Sequence, residues 1–433
     1  MKKNDRRYNA YIQILKEELM PAMGCTEPIA LAYGAAKAKE VLGELPDRVE
    51  VFVSNNIIKN VKSVVVPNTN GLKGIQAAVA AGIVAGKAEN VLQVISEVDD
   101  NQKIQIHEFL NKVSMKVSAL QTPLTFDLEI TLYLKDSFVK LRIAEYHTNI
   151  VSIIKDNNII FGTKEKMLTE RVKELPMDET IGDRKLLSIK EIYDFATTCD
   201  VNDVKPILDP QIVYNMEIAE EGLKAPWGAN IGSTYLKCYG NDVRVRAIAK
   251  AAAGSDARMS GCEMPVIINS GSGNQGITVS VPVIEYAREL SVTEERLYRA
   301  LIISNLIAIH QKTGIGRLSA YCGAASAGCA AGCGIAYLLG GDLDVINHTL
   351  VNSIVIISGM ICDGAKPSCA GKIATSVQAG IFGYEMYQNG QQFKKGDGIV
   401  SNGVEATIEN VAKLGKDGMR QTDKEIVKMM LAI

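Results

Sequence analysis

Residues 319–340 read SAYCGAASAGCAAGCGIAYLLG, and this stretch decides the fold class. Small side chains at such density let helix backbones approach more closely than usual, so the stretch predicts a tightly packed helical core. Working outward, helical periodicity is expected over 188–197, 209–223, 243–252, 281–290, 294–311, 343–360 and 370–388. From about 114 to 162 the pattern changes to short alternating segments split by Asp-Ser and Asp-Asn-Asn, which predict an antiparallel meander. Further upstream, 8–20 and 29–42 predict helices, 48–66 two Val-rich strands, and 72–86 an Ala-rich helix. The expected fold class is α+β, a helical core carrying the chemistry with an antiparallel β-sheet region in the N-terminal half. We divide the chain into 1–113, N-terminal helices and strands; 114–186, a β-rich region with a charged connector over 163–186; and 187–433, a helical domain.

Composition narrows the function classes. Of the 433 residues, 47 are basic and 49 acidic, a net charge of -2 that offers no broad basic face for a phosphate backbone, so no nucleic-acid partner is expected. The basic residues of Met1–Arg7 lead into an amphipathic segment and not into an apolar one, which argues against a secretory signal. The apolar runs Leu301–Ile309 and Ile354–Ile361 fall short of the roughly 20 residues of a membrane span. A cytoplasmic protein without membrane association is expected. Nine cysteines, an odd number, read as reduced thiols available for metal or catalysis.

Cys362 and Cys369 bracket a Gly- and Pro-containing loop, Cys-Asp-Gly-Ala-Lys-Pro-Ser-Cys, that should lie between two helices. Cys322 lies upstream by the length of one helix out and one back, which could return it to the same end. Three thiols suit a 4Fe–4S cluster with one iron left open, although three small buried residues would account for the spacing equally well. Cys329 and Cys333, at i and i+4, read as core packing. Cys25 stands just before a helix, with Thr26 as the expected N-cap and Pro28 in the first turn. The helix dipole should lower its pKa and yield a thiolate able to act as base or nucleophile.

Residues 271–276, GSGNQG, match the dinucleotide fingerprint literally. The following Ile277–Pro282 reads as extended where that fingerprint needs a helix, so NAD is not expected. The loop reads better as a polar nest in which Ser270, Ser272, Asn274 and backbone N–H groups hold a substrate carboxylate. His107, His147, His310 and His348 show no ligand spacing and read as core or surface residues. Lys366 is better placed to balance a thiolate-bound cluster than to form a Schiff base, and no pyridoxal phosphate site is expected.

With MGCTEP (23–28), SGSGNQG (270–276), AYCGA (320–324) and MICDGAKPSCAGKIA (360–374), the chain resembles the L-cysteine desulfidase family, related to the iron–sulfur L-serine dehydratases, over essentially its whole length. The resemblance implies a cluster held by Cys322, Cys362 and Cys369, with Cys25 as proton acceptor. It further implies β-elimination of L-cysteine to sulfide, ammonium and pyruvate. A serine or threonine dehydratase with the same apparatus is the alternative, and a non-catalytic iron–sulfur redox protein stands behind it. The expected partner is a small amino acid. The small-residue helices can pack within one chain or between two, which leaves a homodimer open.

Overall fold

The structure, a computed structural model, describes residues 1–162 and 182–431, so most of the expected 163–186 connector lies outside the described residues. The N-terminal half is built on a six-stranded sheet. Its strands are β2 (Arg48–Val53), β3 (Ser114–Ala119), β4 (Asp127–Leu134), β5 (Ser137–Ala144), β6 (Ile150–Lys155) and β7 (Asn158–Phe161), in the order β3-β2-β4-β5-β6-β7. All pairs are antiparallel except β2 with β3, so the sheet takes strands from both sides of position 113/114. Alternation gives it one buried face. Val49, Val51, Ile130, Leu141 and Ile143 are fully buried there, and Gly34 of the helix Thr26–Leu42 lets Ile143, Ile130 and Leu141 close against that helix. Asp127, also fully buried, is held by a two-pronged bond from Arg142 at 2.9 and 2.7 Å.

The expected meander is present from β4 to β7, whereas β3 pairs parallel with β2 and stands outside it; of the two strands expected over 48–66 only β2 forms. The chain leaves the sheet at Val53, and Ser54, at the N-cap position with its hydroxyl donating to Thr125 O, precedes a short helix, Asn55–Val61. A Ser-Asn-Asn start is a helix-capping signal that the Val-rich flanks obscured.

The rest is helical: Ile189–Thr198, Lys205–Lys224, Ile231–Tyr239, Val243–Met259, Gly273–Glu289, Glu294–Ile315, Gly323–Leu338, Leu343–Ile357, Cys369–Gln388, Val404–Lys413 and Arg420–Leu431. A helix spans Gly273–Glu289 where Ile277–Pro282 was expected to be extended. Pro282 removes one intrahelical bond and the run is β-branched, but burial on every side outweighs both local preferences. Among the described residues no helix is long and apolar enough to cross a membrane.

The helix Gly323–Leu338 lies at the centre, packed by Gly273–Glu289, Glu294–Ile315, Leu343–Ile357 and Cys369–Gln388. Cys329 and Cys333 are fully buried in it, as core residues. Its contact with Cys369–Gln388 is backbone on backbone: a Cβ at Gly328 would lie 2.4 Å from the Ser376 carbonyl carbon, and one at Gly332 would lie 2.4 Å from Gly380 O. Moving four residues along one helix moves the contact four residues along the other, so the two run parallel. Gly332→Ala should therefore destabilise by about 1–3 kcal/mol through overpacking. Gly371→Ala, whose Cβ meets nothing within 4 Å, should be neutral or stabilise by up to about 1 kcal/mol. Urea unfolding midpoints distinguish the two, and equal midpoints would contradict the contact.

Candidate active site

The parallel register has a chemical consequence. Following it back from the Gly328–Ser376 contact to Cys322 arrives beside Cys369 on the partner helix. Cys322 is the N-cap of Gly323–Leu338 (φ -70°, ψ 119°), and Cys369 opens Cys369–Gln388. Cys362 is brought in by backbone pairing: Cys362 N donates to Ala320 O at 2.6 Å and Cys322 N donates to Met360 O at 3.1 Å. The out-and-back helix expected between Cys322 and the loop is thus what returns the loop to Cys322.

A second pairing delivers Cys25. The short strands β1 (Pro21–Met23) and β8 (Pro265–Ile267) are antiparallel, setting the MGCTEP segment against the 270–276 loop. Thr26 Oγ1 donates to Gly271 O at 2.8 Å. Asn269 and Ser272 exchange backbone bonds of 3.1 and 3.0 Å across a tight turn, with Ser270 and Gly271 at φ 51° and 79°. Positive φ at both central residues is the type I′ geometry. Asn269 is anchored from below by Asn305, which in turn exchanges bonds with Gln211. The turn opens a helix directly, as a dinucleotide fingerprint requires. The strand before it, however, has three residues and pairs antiparallel, not within a βαβ unit.

All four cysteines line one cavity of about 100 Å³, together with Ser270, Ser272 and Asn274. Cys25, and not Thr26, is the N-cap of Thr26–Leu42. The expected low thiol pKa is overturned: burial first, and then the Glu27 carboxylate, push the Cys25 thiol well above its usual range, with Arg258 acting the other way. The thiol donates to Glu27 Oε2 at 3.0 Å. Glu27 itself is held down at about 2; burial opposes this, and the His147 ring and the Cys25 thiol outweigh it.

Among the described residues, no three His, Cys, Asp or Glu side chains converge closely enough to hold a single metal ion. A cubane is larger than one ion and spaces its ligands further apart, and the donor set otherwise suits it. Burial, and then the Cys362 charge, raise Cys322 to about 12; burial likewise raises Cys369. Bare thiolates are therefore costly here, and iron in place of the protons removes that cost. Two helix N-termini and the ammonium groups of Lys312 and Lys372 face the thiols, all favourable to negative charge. The Lys366 charge also favours the Cys369 thiolate, against the larger effect of burial, while its ammonium binds Asp363 and the Asp363 and Gly364 carbonyls.

Sequence reasoning missed Glu27, Asn60, His147, Arg258 and Lys312, all on the cavity wall. Glu27 lies inside the MGCTEP motif and was legible as an acid two residues from Cys25. His147, read as core or surface, arrives from the β5–β6 connection, its Nε2 4.0 Å from Glu27 Oε1. Lys312 is 5% exposed and held down to about 8 by burial, with Cys362 and Cys322 acting against that shift.

The cysteine loop is also latched from behind. Lys59, its side chain 1% exposed, donates to Asp423 Oδ1 at 2.5 Å and to Cys362 O at 3.3 Å. Asp423→Ala should cost roughly 3 kcal/mol, because it strands a buried ammonium, whereas the double change Lys59→Met/Asp423→Leu should recover most of that loss. Chemical denaturation of the three proteins checks this. A double variant no more stable than Asp423→Ala would contradict the latch.

The sequence pattern described as "Serine dehydratase alpha chain" matches residues 89–428. That span includes Cys322, Cys362, Cys369 and the 270–276 loop. A UPF0597 protein of Desulfitobacterium hafniense (strain Y51) is 60% identical over 431 residues, covering 100% of this chain and 98% of that protein. Another from Lachnoclostridium phytofermentans is 49% identical over 424 residues, covering 98% and 100%. A third from Treponema denticola is 45% identical over 433 residues, covering 98% of each. The chain belongs to the serine dehydratase alpha chain family.

Proposed function

We propose that this protein is a 4Fe–4S-dependent lyase that eliminates the β-substituent of a small α-amino acid, with L-cysteine as substrate. The observation that carries the reading is the convergence of Cys322, Cys362 and Cys369 on the cavity that also holds Cys25. Membership of an iron–sulfur dehydratase family supports the lyase class. Cys322, Cys362 and Cys369 would hold the cluster. When bound, it supplies a Lewis-acidic iron without a cysteine ligand, which polarises the bond to the β-substituent.

The remaining chemistry falls to the chain. Cys25 takes the α-proton. A C–H bond next to a carboxylate is weakly acidic and needs a strong base, and a thiolate formed where burial and Glu27 both resist it is a strong one. Arg258, acting in the opposite sense, makes that thiolate attainable. Loss of the proton and of the β-substituent leaves aminoacrylate, which tautomerises to an imine; water converts this to pyruvate and ammonium. With cysteine the departing group is sulfide. Iron's affinity for a soft sulfur ligand favours cysteine. Elimination of water from L-serine is the second reading, favoured by the family's description.

Anaerobically prepared protein assayed for sulfide and pyruvate should turn over L-cysteine with a kcat/KM above that for L-serine. The opposite order would transfer the assignment to serine. Cys25→Ala should keep its iron and acid-labile sulfide and lose about 10²–10⁴-fold in kcat. Undiminished turnover in that variant would remove Cys25 as base, and absence of turnover of either amino acid by the unaltered protein would leave only a redox or scaffold role.

A further inference from the structure

Several buried polar atoms on the cavity wall have no partner within the protein; besides Tyr321 Oη and His147 Nε2, each able to donate or accept, they are of two kinds. Arg258 Nε and Nη2 are donors without an acceptor, while Asn60 Oδ1, Asn274 Oδ1 and Gln275 Oε1 are acceptors without a donor. Arg258 is 2% exposed and stands at the end of helix Val243–Met259. Arg142, Arg184 and Arg246 each hold a carboxylate. A buried guanidinium left without one is costly, and such a cost is normally offset by a ligand.

The backbone makes room for these groups. A Cβ at Gly273 would lie 2.3 Å from Arg258 Nε, so the guanidinium occupies the space that Gly273 leaves free. Gly273 is also the first residue of helix Gly273–Glu289, whose first-turn N–H groups have no intrahelical acceptor. The Arg258 donors and the positive end of a helix therefore meet at one point. Gly323 makes similar room for Gln275: a Cβ there would lie 2.6 Å from Gln275 Cδ. Asn60 gives its Nδ2 to Glu27 Oε1 at 3.0 Å, which leaves its oxygen free.

Orphaned donors together with orphaned acceptors in one small cavity complement a zwitterion. We propose that Arg258, with the first-turn N–H groups of helix Gly273–Glu289, binds the substrate α-carboxylate, and that the side-chain oxygens of Asn60, Asn274 and Gln275 take its α-ammonium. This holds the Cα–H in a fixed orientation between Cys25 on one wall and the three thiols on another. Ligand identity rests on the amino-acid lyase reading, but the anchor can be tested without turnover.

L-Alanine carries both charges and has no β-leaving group, whereas ethylamine lacks the carboxylate and propionate the ammonium. Calorimetric titration of the anaerobically prepared holoenzyme should show L-alanine binding more tightly than either analogue. Arg258→Gln should weaken L-alanine by about 10- to 150-fold and leave ethylamine unchanged. Arg258→Lys, which keeps the charge and guards against a folding failure, should fall between; Gly273→Ala, which displaces the guanidinium, should weaken L-alanine as well. Unchanged L-alanine affinity in Arg258→Gln or Arg258→Lys, or an unaltered protein that binds ethylamine as tightly as L-alanine, would overturn the proposal. Tight, Arg258-dependent L-alanine binding without turnover of cysteine or serine would uphold the anchor and sink the reaction instead.

Discussion

Where helix Gly323–Leu338 meets helix Cys369–Gln388, Gly328, Gly332 and Gly380 remove the side chains that would hold the backbones apart. The register of the whole helical core depends on that contact. Because the helices are parallel, their N-termini share one end of the molecule, and each N-terminus carries a cysteine. Tyr321 and Ile361 add a β-bridge at the same end, bringing in Cys362. The small-residue stretch thus has two consequences from one cause: dense packing and convergence of thiols. The charge-favouring ends of both helices come with it.

Charge inside the cavity follows from burial. Burial pushes the Cys25, Cys322 and Cys369 thiols towards the neutral form, and it pushes the nearby cations Lys312 and Arg258 the same way. A site in which both signs of charge are disfavoured when empty gains most from ligands carrying the complementary charges. The proposed cluster on thiolates and the proposed zwitterionic amino acid are two such ligands. Lys372, where Asp363 outweighs burial, is one exception, and Glu27 is the other. It stays ionised beside His147 and the Cys25 thiol, and so fixes where the Cys25 proton points.

Much of this was legible in the sequence wherever function sat on a contiguous motif. The Cys362–Cys369 loop, the return of Cys322 and the bland role of Cys329 and Cys333 all follow from local spacing. Features set by tertiary burial were not legible. Ile277–Val281, four of whose five residues are β-branched, forms a helix because it is enclosed on all sides. Cys25 was expected to be acidified by a helix dipole, yet burial and an adjacent carboxylate dominate. Arg258, His147 and Lys312 come from a helix end, a hairpin connection and the last turn of another helix, and no local pattern marks such residues as neighbours. Only the fold brings them together.

The central claim is that three particular thiols of the nine hold one cluster. Iron and acid-labile sulfide, measured after anaerobic reconstitution of single alanine variants, test it most directly. The account predicts about four irons per chain in the unaltered protein and in Cys329→Ala, with severe loss in Cys322→Ala, Cys362→Ala and Cys369→Ala. Full iron content in any of those last three, with the fold intact by circular dichroism, would contradict it.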